Sequence, residues 1–205
     1  MNPADATTQA WHREPLRSFD PALRAVAQRV DKQAGEPVFA AGQRPARLYC
    51  VVAGEVVMGR YDRAGRHLAL QRARDGLLAE ASLRSERYHC DAHAVGPACL
   101  LAFPLRALRQ AIDAHAPTRW AWIAMLSSEI RRQRSLAERL TLKTVRERLL
   151  HLLVSQPEPG VLRLTATRKD LAAQLGVSHE ALYRAISALV KQGLLRADGD
   201  MLALR

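Results

Sequence analysis

The interpretation of this chain rests on the stretch 167–192, which reads TRKDLAAQLGVSHEALYRAISALVKQ. Thr167, with Asp170 three residues later, forms a carboxylate variant of the capping box that starts a helix. Gly176 suits a left-handed helix end, and Ser178 suits the N-cap of a new helix. The stretch therefore predicts two short helices joined by a turn of three or four residues, which is the spacing of a helix-turn-helix.

The second predicted helix has an apolar face and a polar face. The apolar residues at helical spacing are Leu182, Ile186, Leu189 and Val190, and those of the first helix are Leu171, Ala172 and Leu175. The polar face carries Glu180, Arg184, Ser187 and Lys191. In its first two turns a recognition helix presents side chains to base edges, so we expect contacts from His179, Glu180 and Arg184. Arg184 matches guanine and Glu180 matches the cytosine amino group.

A β-hairpin is predicted after these helices. Asp198-Gly199 lies between the runs 194–196 and 201–204, and Asp-Gly between apolar runs is a strong hairpin signal. The hairpin makes the C-terminal segment a winged helix. Without it, an amphipathic helical hairpin whose polar face is merely solvated would explain the helices equally well.

Composition is compatible with a nucleic-acid partner but does not require one. The 205 residues carry a formal net charge of +11, and 48% of them are hydrophobic, which argues against disorder. Residues 149–205 contain seven basic and five acidic side chains, so the charge is not concentrated on the winged segment. The motif carries the case for DNA binding.

The three cysteines are Cys50, Cys90 and Cys99, and they are too scattered for a disulfide framework. No apolar signal-peptide core and no membrane-spanning run are visible in the sequence. We therefore expect a reduced, cytoplasmic protein with no membrane partner.

The N-terminal half shows the pattern of an antiparallel roll. Residues 1–15 are expected to be loose, and 16–33 to form a short helix restarted at Asp20-Pro21. From Gly35 onward, short runs rich in Val, Leu and Tyr are cut by glycines. The predicted strands are 37–39, 48–52, 55–61, 68–72, 77–83, 89–95 and 99–103, followed by a helix from Leu105 to about Ala116.

Residues 118–145 form the longest helical pattern, about 40 Å at 1.5 Å per residue. Its predicted seam consists of Ile123, Leu126, Ile130, Gln133, Ala137, Leu140 and Thr144, at the alternating spacing of a coiled coil. The opposite side carries Glu129, Arg131, Arg132, Arg134, Glu138 and Arg139. A core helix against the roll is one interpretation, but we favour a parallel dimer helix, since a two-fold winged helix needs a partner to bind two half-sites.

The predicted fold is α+β: a sensor domain with an antiparallel β-roll of jelly-roll type (1–116), a long dimerisation helix (117–145) and a winged helix-turn-helix domain (146–205). The last begins with a helix over 144–154 and a strand over 161–165. This order resembles the CRP/FNR family of bacterial transcription regulators. The similarity is most specific in LYCVVAGEVVMGRYDRAGR at 48–66 and TRKDLAAQLGVSHEALYRAI at 167–186.

The resemblance implies a homodimer that binds a palindromic operator in double-stranded DNA and acts with RNA polymerase, and it implies no enzyme activity. Thr167, Arg168 and Lys169 match family positions that touch backbone phosphates. The groove-contacting positions are Ser178, His179, Glu180 and Arg184, with Ser187 beside them. His179 stands where an arginine is common, and a neutral imidazole cannot fork onto guanine, so one outer base pair of the half-site is expected to differ.

The sensor segment departs from the cyclic-nucleotide members of the family. The predicted effector pocket comprises Glu80, Ala81, Ser82, Arg87, Tyr88, His89 and Cys90. Glu80 matches the ribose-binding glutamate, but Ala79 replaces a glycine, and His89 and Cys90 occupy the Arg-Ser positions. Losing the bidentate arginine removes two charged hydrogen bonds of roughly 1.5–3 kcal/mol each, which argues against cyclic AMP. A turn shifted by two residues would let Arg87 supply that charge.

Other sensor chemistries remain open at this point. His89, Asp91 and His93 alternate, so a strand directs all three to one side as a haem or metal face, with Cys90 as a thiolate site. A half-buried strand with small residues inside explains the same pattern. Three cysteines argue against the four-cysteine iron–sulfur cluster of oxygen-sensing relatives. Two rival functions also remain: a regulatory module acting on a partner protein, and a haem, metal or thiol redox enzyme on a cupin-like roll.

Overall fold

The computed structural model describes residues 3–64, 67–156, 158–164 and 167–205. Three residues of predicted elements lie outside the described residues: Gly65 in a break between strands, Pro157 in a loop, and Thr165 at the end of the strand 161–165. The chain forms two compact units, Met1–Met125 and Leu126–Arg205. No described helix is both long enough and apolar enough to cross a bilayer.

Two four-stranded antiparallel sheets form the roll of the first unit. The strands are β1 (Gln28–Lys32), β2 (Pro37–Phe39), β3 (Arg47–Ala53), β4 (Val56–Tyr61), β5 (His67–Ala73), β6 (Gly76–Leu78), β7 (Asp91–Ala94) and β8 (Ala98–Pro104). One sheet has the order β1-β8-β3-β6 and the other β2-β7-β4-β5. The predicted antiparallel roll is confirmed, with β2 to β5 within a residue or so of the sequence prediction.

Apolar side chains fill the interior of the roll. Val51, Val56, Leu78 and Leu100 are buried between the two sheets. Phe39 stacks on Tyr88, with ring centroids 4.3 Å apart. Burial of apolar surface contributes about 25 cal/mol per Å², so this cluster stabilises the unit. The interior is a packed core.

Residues 3–30 differ in part from their prediction. Instead of a loose arm and a helix that runs to residue 33, the chain forms α1 (Pro3–Ala10), a 3-10 turn (Leu16–Ser18), α2 (Pro21–Ala25) and then strand β1. The predicted helix start at Asp20-Pro21 is confirmed, because Asp20 caps α2. Ala6, Ala10 and Trp11 are buried, and the Trp11 ring meets Phe103 of β8 edge-on at 5.9 Å. Packing against the sheet therefore orders a segment whose own composition is polar.

Three other elements have boundaries that differ from the prediction. The predicted strand 77–83 ends at Leu78, because Ala79 adopts a left-handed φ of +66° and a 3-10 turn follows over Glu80–Ser82. The predicted strand 89–95 is confined to β7. After β8, α3 (Leu105–Ala114) and α4 (Ala116–Thr141) follow. The long helix ends at Thr141, not at 145, because Thr144 forms a capping box with Glu147 that begins the next helix.

The second unit contains the end of α4 and a winged helix. Its elements are α5 (Val145–Val154), β9 (Val161–Arg163), α6 (Arg168–Leu175), α7 (His179–Lys191), β10 (Leu195–Asp198) and β11 (Met201–Leu204). The three strands pair antiparallel in the order β10-β11-β9. Leu149 and Leu153 of α5, Leu175 of α6, and Leu182 and Leu189 of α7 form its core.

Candidate nucleic-acid interface and sensor site

Short polar contacts fix the two helices of the predicted DNA-binding motif. The Thr167 N–H donates to Asp170 Oδ2 at 3.0 Å, and Thr167 Oγ1 accepts from the Asp170 N–H at 3.2 Å. Gly176 ends α6 with φ +66°, and Ser178 Oγ accepts from the Ala181 N–H at 3.1 Å. Each cap satisfies amides that a helix start leaves open, so the predicted helix boundaries are confirmed.

One side of α7 packs and the other faces solvent. Leu182, Ile186 and Leu189 are buried against α5 and α6. Val190, which the sequence placed on the same face, is 42% exposed, because its helical position lies at the margin of that stripe. All the predicted groove-contacting residues are exposed: Ser178, His179, Glu180, Arg184 and Ser187.

The predicted phosphate-contacting residues differ from one another. Lys169 is exposed, whereas the Thr167 hydroxyl is engaged in the cap. Arg168 is half-buried: its Nη2 donates to the Gly199 carbonyl at 3.2 Å, and its Cζ lies 5.3 Å from the centre of the Tyr183 ring. Arg168 thus connects the start of α6 to α7 and to the wing.

Tyr183 was missed by the sequence interpretation. It is 43% exposed on the solvent side of α7, and its ring lies edge-on to His179 at 4.6 Å. An aromatic residue four positions after the first residue of a recognition helix is the signal that would have found it.

The wing hairpin is present, with its turn one residue later than predicted. Asp198 pairs with Met201, so Gly199 and Asp200 form the two-residue loop. Gly199 has φ +52°, a conformation that suits glycine.

Several apolar side chains of α4 face solvent. Trp120, Ile123, Ile130 and Leu140 are 66%, 42%, 52% and 64% exposed. Of the other predicted seam residues, Leu126 is half-buried and Gln133 and Ala137 are exposed. Thr144 was wrongly placed in the seam, because it lies beyond the end of α4 and is the N-cap of α5. Trp120, three residues before Ile123, extends the predicted stripe by one turn.

Arg139 was assigned to the charged outer face of α4, and the structure corrects this. It is 6% exposed, and its Nε and Nη1 make no hydrogen bond to any residue that the structure describes. Burial lowers the pKa of its guanidinium.

In the sensor segment, Ala79 takes the backbone conformation in which a glycine would be expected. Glu80, at the start of the 3-10 turn, is half-buried and its Oε2 is shielded from solvent. Ala81 is exposed. Ser82 is buried, and its Oγ makes no hydrogen bond with the described part of the chain.

Neither Arg87 nor His89 supplies a buried positive charge. The Arg87 guanidinium donates from Nη1 to the Gly42 carbonyl at 2.8 Å and is exposed. Tyr88 turns into the core and donates its hydroxyl to the Arg47 carbonyl at 2.6 Å, while His89 points to solvent. The turn shifted by two residues, which would carry Arg87 into the roll, therefore does not form.

The alternating pattern predicted for β7 is confirmed: its small residues are buried, and its polar residues are partly exposed. Cys90, Ala92 and Ala94 are buried, and Asp91 accepts the Ala41 N–H at 2.9 Å. Burial raises the pKa of the Cys90 thiol, which disfavours the reactive thiolate. Within the described ranges no three His, Cys, Asp or Glu residues lie close enough to hold a metal ion.

Family models match two segments of the chain. Residues 29–115 match the cyclic nucleotide-binding domain, and residues 147–205 match the Crp-like helix-turn-helix domain. Comparison of the sequence with curated proteins finds no significant match.

Solved structures share the fold along nearly the whole chain. The catabolite activator protein of Thermus thermophilus is 25% identical, with a TM-score of 0.52 over 96% of this chain and 93% of that one. The regulator CLP of Xanthomonas campestris, described as c-di-GMP responsive, is 26% identical with a TM-score of 0.55, over 88% and 94% of the two chains. FixK2 of Bradyrhizobium japonicum is 24% identical, with a TM-score of 0.61 over 88% and 93%.

These matches follow the order of the domains found in the structure. A cyclic nucleotide-binding domain with an antiparallel roll comes first, a 26-residue helix follows, and a Crp-like helix-turn-helix ends the chain. This chain therefore belongs to the CRP/FNR family of transcription regulators.

Proposed function

We propose that this regulator acts as a homodimer that inserts α7 of each subunit into neighbouring major grooves of a palindromic operator. The observation that carries the proposal is the first half of α7, where His179, Glu180 and Arg184 are exposed to solvent while Leu182 and Ile186 pack behind them. A helix held rigidly from one side and polar on the other fits a groove about 12 Å wide.

Four side chains have defined roles in this arrangement. Arg184 donates two hydrogen bonds to guanine O6 and N7, and Glu180 accepts from a cytosine amino group. Lys169 and Arg168 contact backbone phosphates, which fix the position of the helix and carry no sequence information. The bond from Arg168 to the Gly199 carbonyl supports a shared placement of the wing and α7 on the DNA.

The dimer forms along α4. Ile123, Ile130 and Leu140 leave apolar surface in water, and a second copy of the same helix covers it in an isologous pairing. Two winged helices related by a two-fold axis then contact half-sites about 34–36 Å apart, one turn of DNA.

The effector is a molecule other than cyclic AMP. A cyclic phosphate needs a charged donor inside the roll, whereas Arg87 is held outside by the Gly42 carbonyl and His89 faces solvent. The stacked rings of Phe39, Tyr49 and Tyr88 occupy part of the interior. An effector that binds one arrangement of the dimer better than another shifts the population toward the DNA-binding form.

The DNA roles are tested with operators selected by the purified protein from random duplexes. Arg184→Ala should weaken specific binding by about 1–3 kcal/mol and relax one base pair, while Arg168→Ala and Lys169→Ala weaken specific and random duplexes alike. Arg13→Ala, an exposed arginine of the first unit, is the charge control. Equal losses on both duplexes for Arg184→Ala would contradict base recognition.

The dimer is tested by sedimentation velocity. Ile130→Asp places a charge in the proposed seam and should give monomers, whereas Ser128→Asp, on the opposite side of the same helix, should leave the dimer intact. A wild-type chain that sediments as a monomer at micromolar concentration would overturn the proposal.

A further inference from the structure

A basic cleft lies on the outside of the first unit, and neither the DNA-binding face nor the interior of the roll includes it. Its volume is about 690 Å³, within the usual range for small-molecule sites. Three segments form this cleft: the chain before β3, the chain after the 3-10 turn Glu80–Ser82, and the start of α3. Arginines from all three segments line it, namely Arg44, Arg84, Arg87, Arg106 and Arg109.

The positive charge of this cleft is largely uncompensated. Glu86 is the one acidic side chain in its lining. Arg44, Arg84 and Arg106 are exposed and make no hydrogen bond or ion pair with the described ranges of the chain. Their donors are therefore available to an anion from solution.

Two further arginines are held in place by the backbone. Arg87 Nη1 donates to the Gly42 carbonyl at 2.8 Å, and Arg109 Nε donates to the Leu83 carbonyl at 2.7 Å. Each contact uses one N–H of a guanidinium that has five, so the others remain available. The ten-residue helix α3 also begins at this cleft, at Leu105, and its dipole adds positive potential there.

We propose that this arginine cleft binds a small anion that carries two or more phosphate groups. A guanidinium matches a phosphate in planar, forked geometry, and separate arginines on three segments suit an anion with more than one such group. A concave site of this volume accommodates a small molecule, whereas a polyanionic macromolecule is better bound by an extended charged surface. The site is additional to the proposed DNA-binding function, although Arg87 belongs to the loop that the sequence assigned to effector binding.

The test uses calorimetric titration of the full-length protein with inorganic pyrophosphate, ADP, orthophosphate and citrate. Pyrophosphate and ADP should bind at least tenfold more tightly than orthophosphate and citrate. The double variant Arg44→Gln/Arg106→Gln should weaken pyrophosphate binding tenfold or more. The control variant Arg13→Gln/Arg63→Gln removes the same charge from exposed positions of the same unit outside the cleft, and should change the affinity for pyrophosphate by less than twofold.

Several results would overturn the proposal. These are equal affinity for citrate and pyrophosphate, an equal loss in the two double variants, or displacement of pyrophosphate by an acidic peptide or a short DNA duplex that binds the cleft more tightly. Circular dichroism and thermal melting of both double variants confirm that each is folded. Because all four arginines are exposed, neither variant removes core packing.

Discussion

Gly54, at the corner between β3 and β4, should tolerate no side chain. It has φ +84°, and a Cβ atom built on it would lie 2.4 Å from the Pro97 carbonyl oxygen and 2.6 Å from Ala98 Cα. Gly35 has nearly the same φ, +79°, but an added Cβ there meets nothing within 4 Å. The pair Gly54→Ala and Gly35→Ala therefore separates close packing from backbone strain.

The two variants should differ by about 2 kcal/mol. Placing an alanine in the left-handed region costs roughly 1–2 kcal/mol, and Gly35→Ala should show that cost alone. Gly54→Ala must also displace backbone by about 1 Å, and overpacking of this kind adds typically 1–3 kcal/mol. We expect a total loss of about 3–4 kcal/mol at Gly54.

Tryptophan fluorescence during urea unfolding measures this difference. All three tryptophans, Trp11, Trp120 and Trp122, belong to the first unit, so the signal follows the unfolding of that unit. Gly54→Ala should lower the urea midpoint clearly more than Gly35→Ala. Equal midpoints for the two variants would refute the close approach of this corner to Pro97 and Ala98.

Three further measurements test other parts of the molecule. Ser178→Ala should destabilise the second unit by about 0.5–2 kcal/mol through loss of the α7 N-cap, whereas Ser178→Asn should retain most of the wild-type stability. Far-ultraviolet circular dichroism during unfolding compares the two variants with the wild-type protein. Ala79→Gly should leave the free energy of unfolding nearly unchanged or raise it by up to about 1 kcal/mol, because relief of the left-handed backbone strain offsets the loss of a methyl group. A loss above about 1 kcal/mol in a urea titration would contradict this prediction. Burial raises the pKa of Cys50 to about 12 and also raises the pKa values of Cys90 and Cys99. A thiol reagent at pH 8 should therefore modify the folded protein far more slowly than the urea-unfolded chain. Rapid labelling of the folded protein would contradict the burial of the three cysteines.

Local signals explain which parts of the fold were predictable. Thr167 with Asp170, Gly176 and Ser178 specify the helix-turn-helix within a few residues of chain, and the structure reproduces each cap. Strands β2 to β5 were equally predictable, because short runs rich in Val, Leu and Tyr are separated there by glycines.

Non-local pairing explains what was missed. Strand β1 has a single apolar residue, Val30, and it is a strand because it pairs with the buried strand β8. The left-handed residue that ends β6 is an alanine, so the sequence shows no break at that point. The arginine cleft was equally invisible, because Arg44, Arg84 and Arg106 come together only when the roll and α3 fold.

The division of α7 into a packed side and a wet side has an evolutionary consequence. Leu182, Ile186 and Leu189 hold the helix, while Glu180 and Arg184 contribute nothing to its core. Under the proposed DNA-binding role of α7, substitutions that retarget the protein to new promoters therefore carry little penalty in folding, and descendants of one ancestral gene can diversify their regulons while the scaffold stays intact.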